Sequence, residues 1–342
     1  ELILRMESKE FEKAREQLKK QKYGLVGKHS GVQICQWTRR SLGEGKVCWK
    51  EKFYGIKSHR CAQVSVSLFN CENKCIHCWR NTDYTIPNIV SNPENPEEII
   101  EGLIEERRKL LIGCGGNEKV DKKKLKEALE PTLFTFSLIG EATLYPYLGE
   151  IIKLCRTRGA VTFLVTNGLN PEAIEKLEKE NALPTQMTLT VNTSNEELYK
   201  IWHRPYKKNA WQKLNKTLEL FIKLKGKVRR AIRLNLVKAM EGDKEIDKLS
   251  NMEDRHVKEY AELIRKAQPD FIHVDGFKSI GFARNRLSWK KMPFHPEVKA
   301  FALKLEEELK ADGYRIMGED ERSFVVLLSN VKSKNDLKIK EI

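Results

Sequence analysis

The stretch "AQVSVSLFNCENKCIHCWR", residues 62–80, joins a predicted strand to a loop with three cysteines. Its first eight residues are mostly apolar and β-branched, which is typical of a buried strand. The loop then supplies Cys71, Cys75 and Cys78, with His77 between the last two. A structural zinc site needs four ligands and commonly takes them as two pairs. Three thiols without a fourth ligand nearby therefore indicate a metal centre with one open position.

Five more strand-like segments follow the cysteine loop and alternate with helical patterns, such as the one at residues 97–112. They are "TLFTFSLI", "AVTFLVT", "QMTLTVN", "RAIRLNLV" and "DFIHVDGF", which begin at residues 132, 160, 186, 230 and 270. Strands that alternate with helices predict right-handed βα units and a parallel sheet, either open or curled into a barrel. We predict an α/β fold with a partial, TIM-like (β/α)6 barrel.

The chain divides into three predicted parts. Residues 1–61 contain a charged helix and a turn up to residue 30, followed by an irregular segment. Residues 62–295 form the barrel. Residues 296–342 contain a helix, a last strand "SFVVLLSN" and a tail that we expect to be frayed.

Residues that follow the predicted strands are small or polar. They are Asn70, Gly140, Glu141, Thr166, Asn167, Gly168, Asn192, Thr193, Lys238 and Asp275. The carboxyl ends of parallel strands open on one face, where the active sites of α/β proteins are built. Turn formation explains Gly168 well but does not explain Glu141. We therefore expect these residues and the cysteine loop to form the mouth of one site.

The composition favours a polyanionic partner, since 63 basic and 48 acidic residues give a net charge of +15. No apolar run is long enough to span a bilayer, and the charged N-terminal stretch lacks the apolar core of a secretory signal. We expect a cytoplasmic monomer without a membrane partner. In a reducing compartment, cysteines serve as metal ligands, reactive thiols or small core residues rather than in disulfides.

A second cysteine trio, Cys35, Cys48 and Cys61, precedes the first in equal steps of thirteen residues. Steps of thirteen residues would not place the three side chains on one face of a helix or of a strand. We therefore predict that the segment folds around one point. Core thiols are the alternative, but the contexts "ICQWT", "VCWKE" and "HRCAQ" are not apolar. Lys50 follows closely, and a partly desolvated lysine forms Schiff bases with carbonyl compounds. Taken alone, Lys50 is equally well explained as a surface lysine.

The spacing Cys-x3-Cys-x2-Cys at the end of the first strand of a βα series resembles the radical S-adenosylmethionine (SAM) superfamily. The resemblance implies a radical SAM barrel and a [4Fe-4S] cluster on this trio, with SAM on the fourth iron. It implies SAM contacts from His77, Gly140, Glu141, Thr166, Asn167 and Asn192. Ile139 stands where the superfamily has the first glycine of its Gly-Gly-Glu-like edge, so only two positions of that edge correspond.

Several strings together resemble one family, the 4-demethylwyosine synthases. They are "FYGIKSHRC", "CENKCIHCWR", "SLIGEATLYP", "FLVTNG", "RPYKKNAW" and "RNRLSWKKMPFHPE". The resemblance implies reductive cleavage of SAM and condensation of 1-methylguanosine at position 37 of tRNA-Phe with pyruvate. We expect a second [4Fe-4S] cluster on Cys35, Cys48 and Cys61, with pyruvate held by Lys50, by this cluster or by both. Electrons would come from a separate donor such as a flavodoxin or ferredoxin.

Basic residues are concentrated at residues 200–238, which contain thirteen Lys or Arg and one acid, Glu219. Interleaved aromatic residues give the combination that neutralises phosphates and stacks bases. A second basic run, residues 278–295, has no acid. The predicted RNA contacts are Arg204, Lys207, Lys208, Trp211, Arg284, Arg286, Lys290 and Lys291. The alternative for these charges is a solvated helix face.

Two other interpretations remain open at this stage. One is a zinc-dependent RNA-binding module in which all six cysteines are structural. The other is a different radical SAM enzyme that modifies RNA, such as a methylthiotransferase, although no separate C-terminal RNA-binding β-domain is evident.

Overall fold

The structure is a computed structural model that describes residues 8–240 and 249–339. Its strands are β1 (Tyr23–Val26), β2 (Ser30–Gln33), β3 (Cys61–Ser65), β4 (Leu133–Phe136), β5 (Val161–Thr166), β6 (Gln186–Thr190), β7 (Arg229–Leu236), β8 (Phe271–Gly276), β9 (Tyr314–Asp320) and β10 (Val325–Asn330). Its α-helices are α1 (Ser8–Lys20), α2 (Gln36–Gly43), α3 (Trp49–Tyr54), α4 (Pro96–Ile112), α5 (Lys122–Ala128), α6 (Leu148–Thr157), α7 (Pro171–Lys179), α8 (Glu196–His203), α9 (Ala210–Lys223), α10 (Asp254–Ala267) and α11 (His295–Leu309).

The predicted partial barrel is confirmed. Strands β3 to β8 are parallel and lie side by side in chain order, with helices in the connections between them. The sheet continues with antiparallel strands, β2 and β1 beside β3 and β10 and β9 beside β8. Within the described ranges β1 and β9 do not pair with each other, so the barrel stays open.

The sequence explains why the parallel strands are central. Strands β4, β5, β6 and β8 are almost entirely buried, as expected when helices cover one face of a parallel sheet and its other face is enclosed. The apolar stripes of α4, α6, α7, α9, α10 and α11 pack on the outer face in one large core. Asparagine side chains cap several of these helices, for example Asn95 before α4 and Asn170 before α7.

The prediction for residues 1–61 was wrong in part. Residues 23–33 form a hairpin that extends the sheet through β2 and β3, and α2 and α3 lie in the segment expected to be irregular. Strands of four residues are too short to show a hydrophobic period. Their pairing with β3 is a tertiary contact that no local pattern announces.

The C-terminal part also differs from the prediction. Strand β9 lies at the edge of the sheet, and only its two end residues, Tyr314 and Asp320, are buried. Between them Ile316 alone packs against the main core, so the segment shows no hydrophobic period and was missed. The tail is not frayed over the described residues 331–339. Leu337 and Ile339 pack against a second, smaller hydrophobic core that includes Tyr54, and the Ile339 N–H donates to the carbonyl of Tyr54.

This second core closes the N-terminal end of the barrel. It consists mainly of Phe53, Tyr54, Ile56, Leu133, Val161, Phe163, Ala231, Phe271, Val325 and Leu327. Arg229 lies over the rings of Tyr54 and Phe271 and donates to main-chain carbonyls of the tail. The barrel floor therefore combines α3 with the C-terminal tail.

A buried ion pair joins β7 to the start of β8. An Arg230 nitrogen lies 3.1 Å from Asp270 Oδ1, and Asp270 Oδ2 also accepts from the Arg230 N–H at 2.8 Å. We expect Asp270→Ala to cost about 3–5 kcal/mol in free energy of unfolding, because it leaves a buried guanidinium without its counter-ion.

Urea unfolding followed by circular dichroism measures this cost, with Asp254→Ala as the control. Asp254 forms an exposed ion pair with Lys304, and removing such a pair costs at most about 1 kcal/mol. Equal costs for the two variants would contradict the assigned role of the buried pair.

Candidate active site

The first cysteine loop follows β3, and main-chain hydrogen bonds pin it on both sides. The Cys71 N–H donates to Ile86, and the Ile76 N–H donates to the carbonyl of Trp202 at the end of α8. Burial raises the pKa of Cys75 well above its usual range, and the nearby thiols of Cys71 and Cys78 raise it further. Main-chain hydrogen bonds therefore hold the three cysteines on one loop beside the end of α8.

The side chain of Arg286 also holds this loop in place. Its guanidinium donates to the carbonyls of Ile76 at 3.1 Å and Arg80 at 3.3 Å, and also to that of Cys78. Arg286 was predicted to bind RNA. The structure instead shows it half-buried, with its donors directed at the cysteine loop.

We expect Arg286→Gln to weaken cluster binding roughly 10- to 100-fold, as is usual when a residue that orients metal ligands is removed. Iron per chain after dialysis against a chelator measures the effect. Arg284→Gln is the matched control, since Arg284 is exposed and its Nε donates to the carbonyl of Ser279 at 2.9 Å. Full iron retention by Arg286→Gln would show that the loop holds its shape without this contact.

Gly140, Glu141, Thr166 and Asn167 meet beside Cys71. Gly140 has φ +75°, and a Cβ there would lie 1.8 Å from the Ser67 carbonyl oxygen, so this position requires glycine. The close approach lets the Glu141 N–H donate to the carbonyl of Asn70 at 2.7 Å. The end of β4 is thus locked to the start of the cysteine loop.

The Glu141 carboxylate is an internal anchor. It accepts from Thr166 Oγ1 at 2.7 Å and from the Asn167 N–H at 2.8 Å. Burial raises the pKa of Glu141 to about 7, and the neighbouring Glu72 carboxylate raises it as well. Asn167 Nδ2 lies 3.0 Å from Glu72 Oε2 and 3.9 Å from Cys71 Sγ. These side chains lie beside the first trio and do not line the large cavity described below.

His77 and Asn192 line that cavity. His77 Nε2 and Asn192 Nδ2 form a hydrogen bond of 2.9 Å. Burial lowers the pKa of His77 to about 3, and the charges of Arg233 and Arg286 lower it further, so the ring is neutral. His77 Nδ1 and Asn192 Oδ1 are buried and have no partner among the described residues. Both atoms suit hydrogen bonds to a bound group.

The second cysteine trio opens into the same cavity. Cys35 and Cys48 are the N-cap residues of α2 and α3, and Cys61 begins β3. Burial raises the pKa of Cys48 to about 12, the charge of Lys50 opposes this rise, and Cys35 and Cys61 add to it. The three thiols therefore come from three elements and lie near one another, with Lys50 beside them.

The cavity has a volume of about 420 Å³, within the size range of small-molecule sites. Cysteines of both trios line it: Cys35, Cys48, Cys61, Cys75 and Cys78. Inward residues of the barrel strands complete the wall, including Gln63, Phe163, Thr188, Arg233, Asn235 and His273. Lys50 Nζ extends into the cavity, 5.6 Å from the Phe163 ring centroid and 5.9 Å from that of Trp49.

The donor sets suit iron–sulfur clusters. Each trio is all thiol, which is the ligand chemistry of a cubane, and three thiols leave one of its four irons open. Cysteines of both trios line one cavity. Within residues 8–240 and 249–339, no group of three His, Cys, Asp or Glu side chains is arranged to hold one metal ion.

Part of the predicted RNA surface lies next to the first cysteine loop. Arg204, Lys207 and Lys208 are exposed, and the Tyr206 N–H between them donates to the carbonyl of Glu72 in the cysteine loop. On the other side, the Phe282 N–H donates to the carbonyl of Trp79, which brings the loop with exposed Arg284 and Lys290 to the same place.

Other predicted contacts do not belong to this surface. Lys291 is fully buried, and Trp211 packs against the core and the Tyr199 ring. The run at residues 200–238 is not one patch, because Lys213 and Lys216 pair with Glu172 and other members lie on the barrel strands. Charge counting along a chain does not reveal which face each residue occupies.

Sequence reasoning did not predict a site role for Arg233 or Trp289, and it did not predict the ion pair between Arg233 and Asp275. Arg233 was counted only as part of a basic run, although an arginine within a largely apolar strand is the signal of an inward charge. Trp289 is 61% exposed next to Lys290. A large exposed aromatic residue beside a base is the feature that marks a stacking surface.

Comparisons with known proteins agree with this architecture. Residues 66–238 match the model of the radical SAM superfamily, and residues 266–330 match the model described as wyosine base formation. No helix in the described part of the chain is long and apolar enough to cross a membrane.

Curated relatives match along nearly the whole chain. The S-adenosyl-L-methionine-dependent tRNA 4-demethylwyosine synthase of Pyrococcus abyssi is 42% identical over 91% of this chain and 86% of its own length. The enzyme of the same name from Methanocaldococcus jannaschii is 34% identical over 94% and 97%.

Solved structures match as well. A structure of TYW1 with a lysine-pyruvate adduct bound has a TM-score of 0.81 and 32% identity, and covers 96% of this chain and 99% of that chain. A crystal structure of archaeal TYW1 has a TM-score of 0.73 and 30% identity over the same shares. The chain therefore belongs to the family of S-adenosyl-L-methionine-dependent tRNA 4-demethylwyosine synthases.

Proposed function

We propose that this chain condenses 1-methylguanosine at position 37 of tRNA-Phe with pyruvate to give tricyclic 4-demethylwyosine. The observation that carries the proposal is the single cavity of about 420 Å³ into which Lys50 and cysteines of both trios open. A cavity shared by Lys50 and cysteines of both trios would bring a small oxo acid close to a radical source. Family membership supports the reaction class.

The two trios are the proposed cluster ligands. Cys71, Cys75 and Cys78 would hold the [4Fe-4S] cluster that binds SAM, and Cys35, Cys48 and Cys61 would hold a second one. When bound, the first cluster supplies the electron that cleaves SAM reductively and so starts the radical chemistry. The donor sets of this chain support the proposal. Each trio supplies three thiols, which leaves one iron of a cubane free for a substrate or cofactor.

The remaining groups of the SAM site are proposed positioning and binding residues. Asn192 and His77 offer to a bound SAM buried atoms that have no partner within residues 8–240 and 249–339. Glu141 holds Thr166 and the main chain of Asn167 in place beside Cys71. The first role follows from hydrogen-bonding atoms that are left for a ligand, and the second from hydrogen bonds that the protein makes on its own.

Lys50 is the proposed nucleophile for pyruvate. Its amine would add to the ketone carbon, and loss of one water would leave an imine between Lys50 and the oxo acid. Aromatic neighbours support this role, because Phe163 and Trp49 keep bulk water from one side of the amine. The second cluster is an additional candidate for binding pyruvate.

The exposed bases next to the first cysteine loop are the proposed tRNA contacts. Arg204, Lys207 and Lys208 lie on one side of the cysteine loop, and Arg284 and Lys290 on the other. They would neutralise phosphates of the anticodon loop while the modified base enters the cavity. Trp289 is added as a surface on which a neighbouring base stacks.

We further propose a cytoplasmic monomer that receives electrons from a separate flavodoxin or ferredoxin. Free thiols at all eight cysteines support a reducing compartment. Residues 1–61 and 296–342 are proposed as extensions of the barrel core 62–295, which they complete with cluster ligands and with the floor under α3.

Mass analysis of tRNA nucleosides tests the proposed function. Anaerobically reconstituted protein, tRNA-Phe with 1-methylguanosine, SAM, pyruvate and reductant should yield 4-demethylwyosine, and ¹³C-labelled pyruvate should add two labelled carbons. Omitting pyruvate should abolish the product. A product that forms without pyruvate, or one that contains new sulfur, would favour a different radical SAM modification.

A further inference from the structure

Three basic side chains line the cavity. Lys50, Arg233 and Lys278 line it, whereas the lining residues include no aspartate or glutamate. A desolvated cavity with this balance attracts small anions, and carboxylates in particular.

Arg233 is the best placed of these cations to bind a carboxylate. It projects inward from β7, and its guanidinium binds Asp275 on the adjacent strand β8. Lys278 Nζ lies 2.5 Å from the other oxygen of Asp275, so two cations share one carboxylate and about one positive charge is left over. Burial alone would raise the pKa of Asp275, but Lys278 and Arg233 outweigh it and hold the carboxyl ionised.

Most donors of Arg233 are unused. A guanidinium has five N–H groups, and in the described residues Arg233 makes one hydrogen bond, to Asp275. Its Nε is buried and has no partner there. A purely structural pair differs in exposure and in donor use. Arg230 also has a buried Nε without a partner among the described residues, but its side chain is 1% exposed and it donates to main-chain carbonyls of Phe221 and Ala267. The Arg233 side chain is 40% exposed, and the space it faces is the cavity.

The position of Arg233 relates it to Lys50. Arg233 and His273 are register partners on β7 and β8, and the ring of His273 lies 4.9 Å from that of Trp49, the neighbour of Lys50. Lys50 therefore reaches the cavity from α3 on the same side as His273. A molecule between the two cations would present its carbonyl to an amine and its carboxylate to a guanidinium.

We propose that Arg233, oriented by Asp275, binds the carboxylate of the small 2-oxo acid whose carbonyl reacts with Lys50. The assignment rests on the proposed function, because it takes pyruvate as the oxo acid. A planar guanidinium matches a carboxylate in two-point geometry, and lysine cannot reproduce this match. Arg233 thus selects an acid over an ester or a simple ketone.

Borohydride trapping of the lysine adduct tests the assignment. Reconstituted wild-type protein is titrated with pyruvate and with methyl pyruvate, reduced with borohydride, and analysed by peptide mass spectrometry at Lys50. In Arg233→Gln, the pyruvate concentration for half-maximal trapping should rise on the order of 10- to 100-fold, the loss expected for one charged two-point contact. Methyl pyruvate trapping should change little, so the preference for the acid disappears.

Further variants separate binding from folding. Arg233→Lys should recover part of the preference for pyruvate, because it keeps the charge but not the fork. Arg265→Gln is the matched control, since Arg265 lies on the outer side of α10 and pairs with Asp312 and Glu308. It should behave as wild type.

SAM also carries a carboxylate, and equilibrium dialysis with labelled SAM distinguishes the two sources. If Arg233 binds the oxo acid, SAM affinity in Arg233→Gln stays within about 2-fold of wild type. Weaker SAM binding with normal trapping would overturn the assignment, and so would normal values for both. If wild type traps no pyruvate adduct at Lys50, the Schiff-base role proposed for Lys50 fails as well, whereas trapping that Arg233→Gln leaves unchanged refutes the role of Arg233 alone.

Discussion

In Lys50→Ala, formation of 4-demethylwyosine is expected to fall by about 10³-fold or more. Covalent capture turns an encounter with dissolved pyruvate into a reaction between held partners, and such positioning is worth effective molarities far above any pyruvate concentration. SAM cleavage should continue, because Lys50 lies beside the second trio. Glu141 and Asn167 lie beside the first trio and do not line the cavity that Lys50 enters. Nucleoside mass analysis and the yield of 5′-deoxyadenosine, measured in the same reaction, separate the two effects.

The neighbouring lysine gives a matched control. Lys52 lies on the same helix, but its Nζ donates to the carbonyl of Glu319 at 2.6 Å on the outside of the barrel. Lys52→Ala should retain near-normal product formation. Lys50→Arg preserves the charge without an amine able to form an imine and should be as inactive as Lys50→Ala. Full activity in either Lys50 variant would refute the Schiff-base role and leave the second cluster as the pyruvate site.

Cys75→Ala is expected to abolish both SAM cleavage and tRNA product. A chain with two cubanes holds about eight irons, so loss of one cluster should lower iron to about four per chain. Cys48→Ala should lower iron equally, because it removes a ligand of the second trio. It should, however, retain SAM cleavage while product formation falls. Iron and sulfide analysis under anaerobic conditions, combined with the 5′-deoxyadenosine yield, distinguishes the two trios.

Cys114→Ser controls for the loss of any one thiol, since Cys114 is half-buried and belongs to neither trio. Its iron content and activity should match wild type. An iron-free protein with stoichiometric zinc would contradict the two-cluster arrangement and support the zinc-dependent RNA-binding module instead. Iron near four in wild type, unchanged in Cys48→Ala, would refute only the second cluster.

The site draws its parts from the whole length of the chain. Cys48 and Lys50 flank the start of α3, and the floor beneath α3 includes Leu337 and Ile339 from the C-terminal tail. Because α3 has only six residues, its position depends on this packing more than on its own helix propensity. The chain ends that sequence analysis treated as irregular or frayed therefore support the proposed nucleophile.

Sequence analysis succeeded where function imposes a local pattern. The spacing of Cys71, Cys75 and Cys78 after a strand pointed to the radical SAM superfamily, whose model matches residues 66–238, and the alternation of strands and helices predicted the parallel sheet. Glu141 stood out because turn chemistry does not require a carboxylate. The structure gives that residue a physical role, since its two oxygens organise the end of β5.

The RNA surface shows where local reasoning ends. Arg286, Lys291 and Trp211 share the basic or aromatic character expected of RNA contacts, but Arg286 holds the cysteine loop and the other two pack inside. A charged side chain lies wherever a partner compensates its desolvation, and that partner can be 200 residues away. Arg286 and Ile76 are such a pair.

By itself the sequence determined the family and the parallel βα order, because each is written in spacing or period along the chain. Only the tertiary structure decided that cysteines of both trios and Lys50 line one cavity, that β1, β2 and β9 extend the sheet, and that Arg233 faces the cavity with unused donors. These features depend on contacts between residues far apart in the chain, and such contacts leave no periodic trace in the segments that make them.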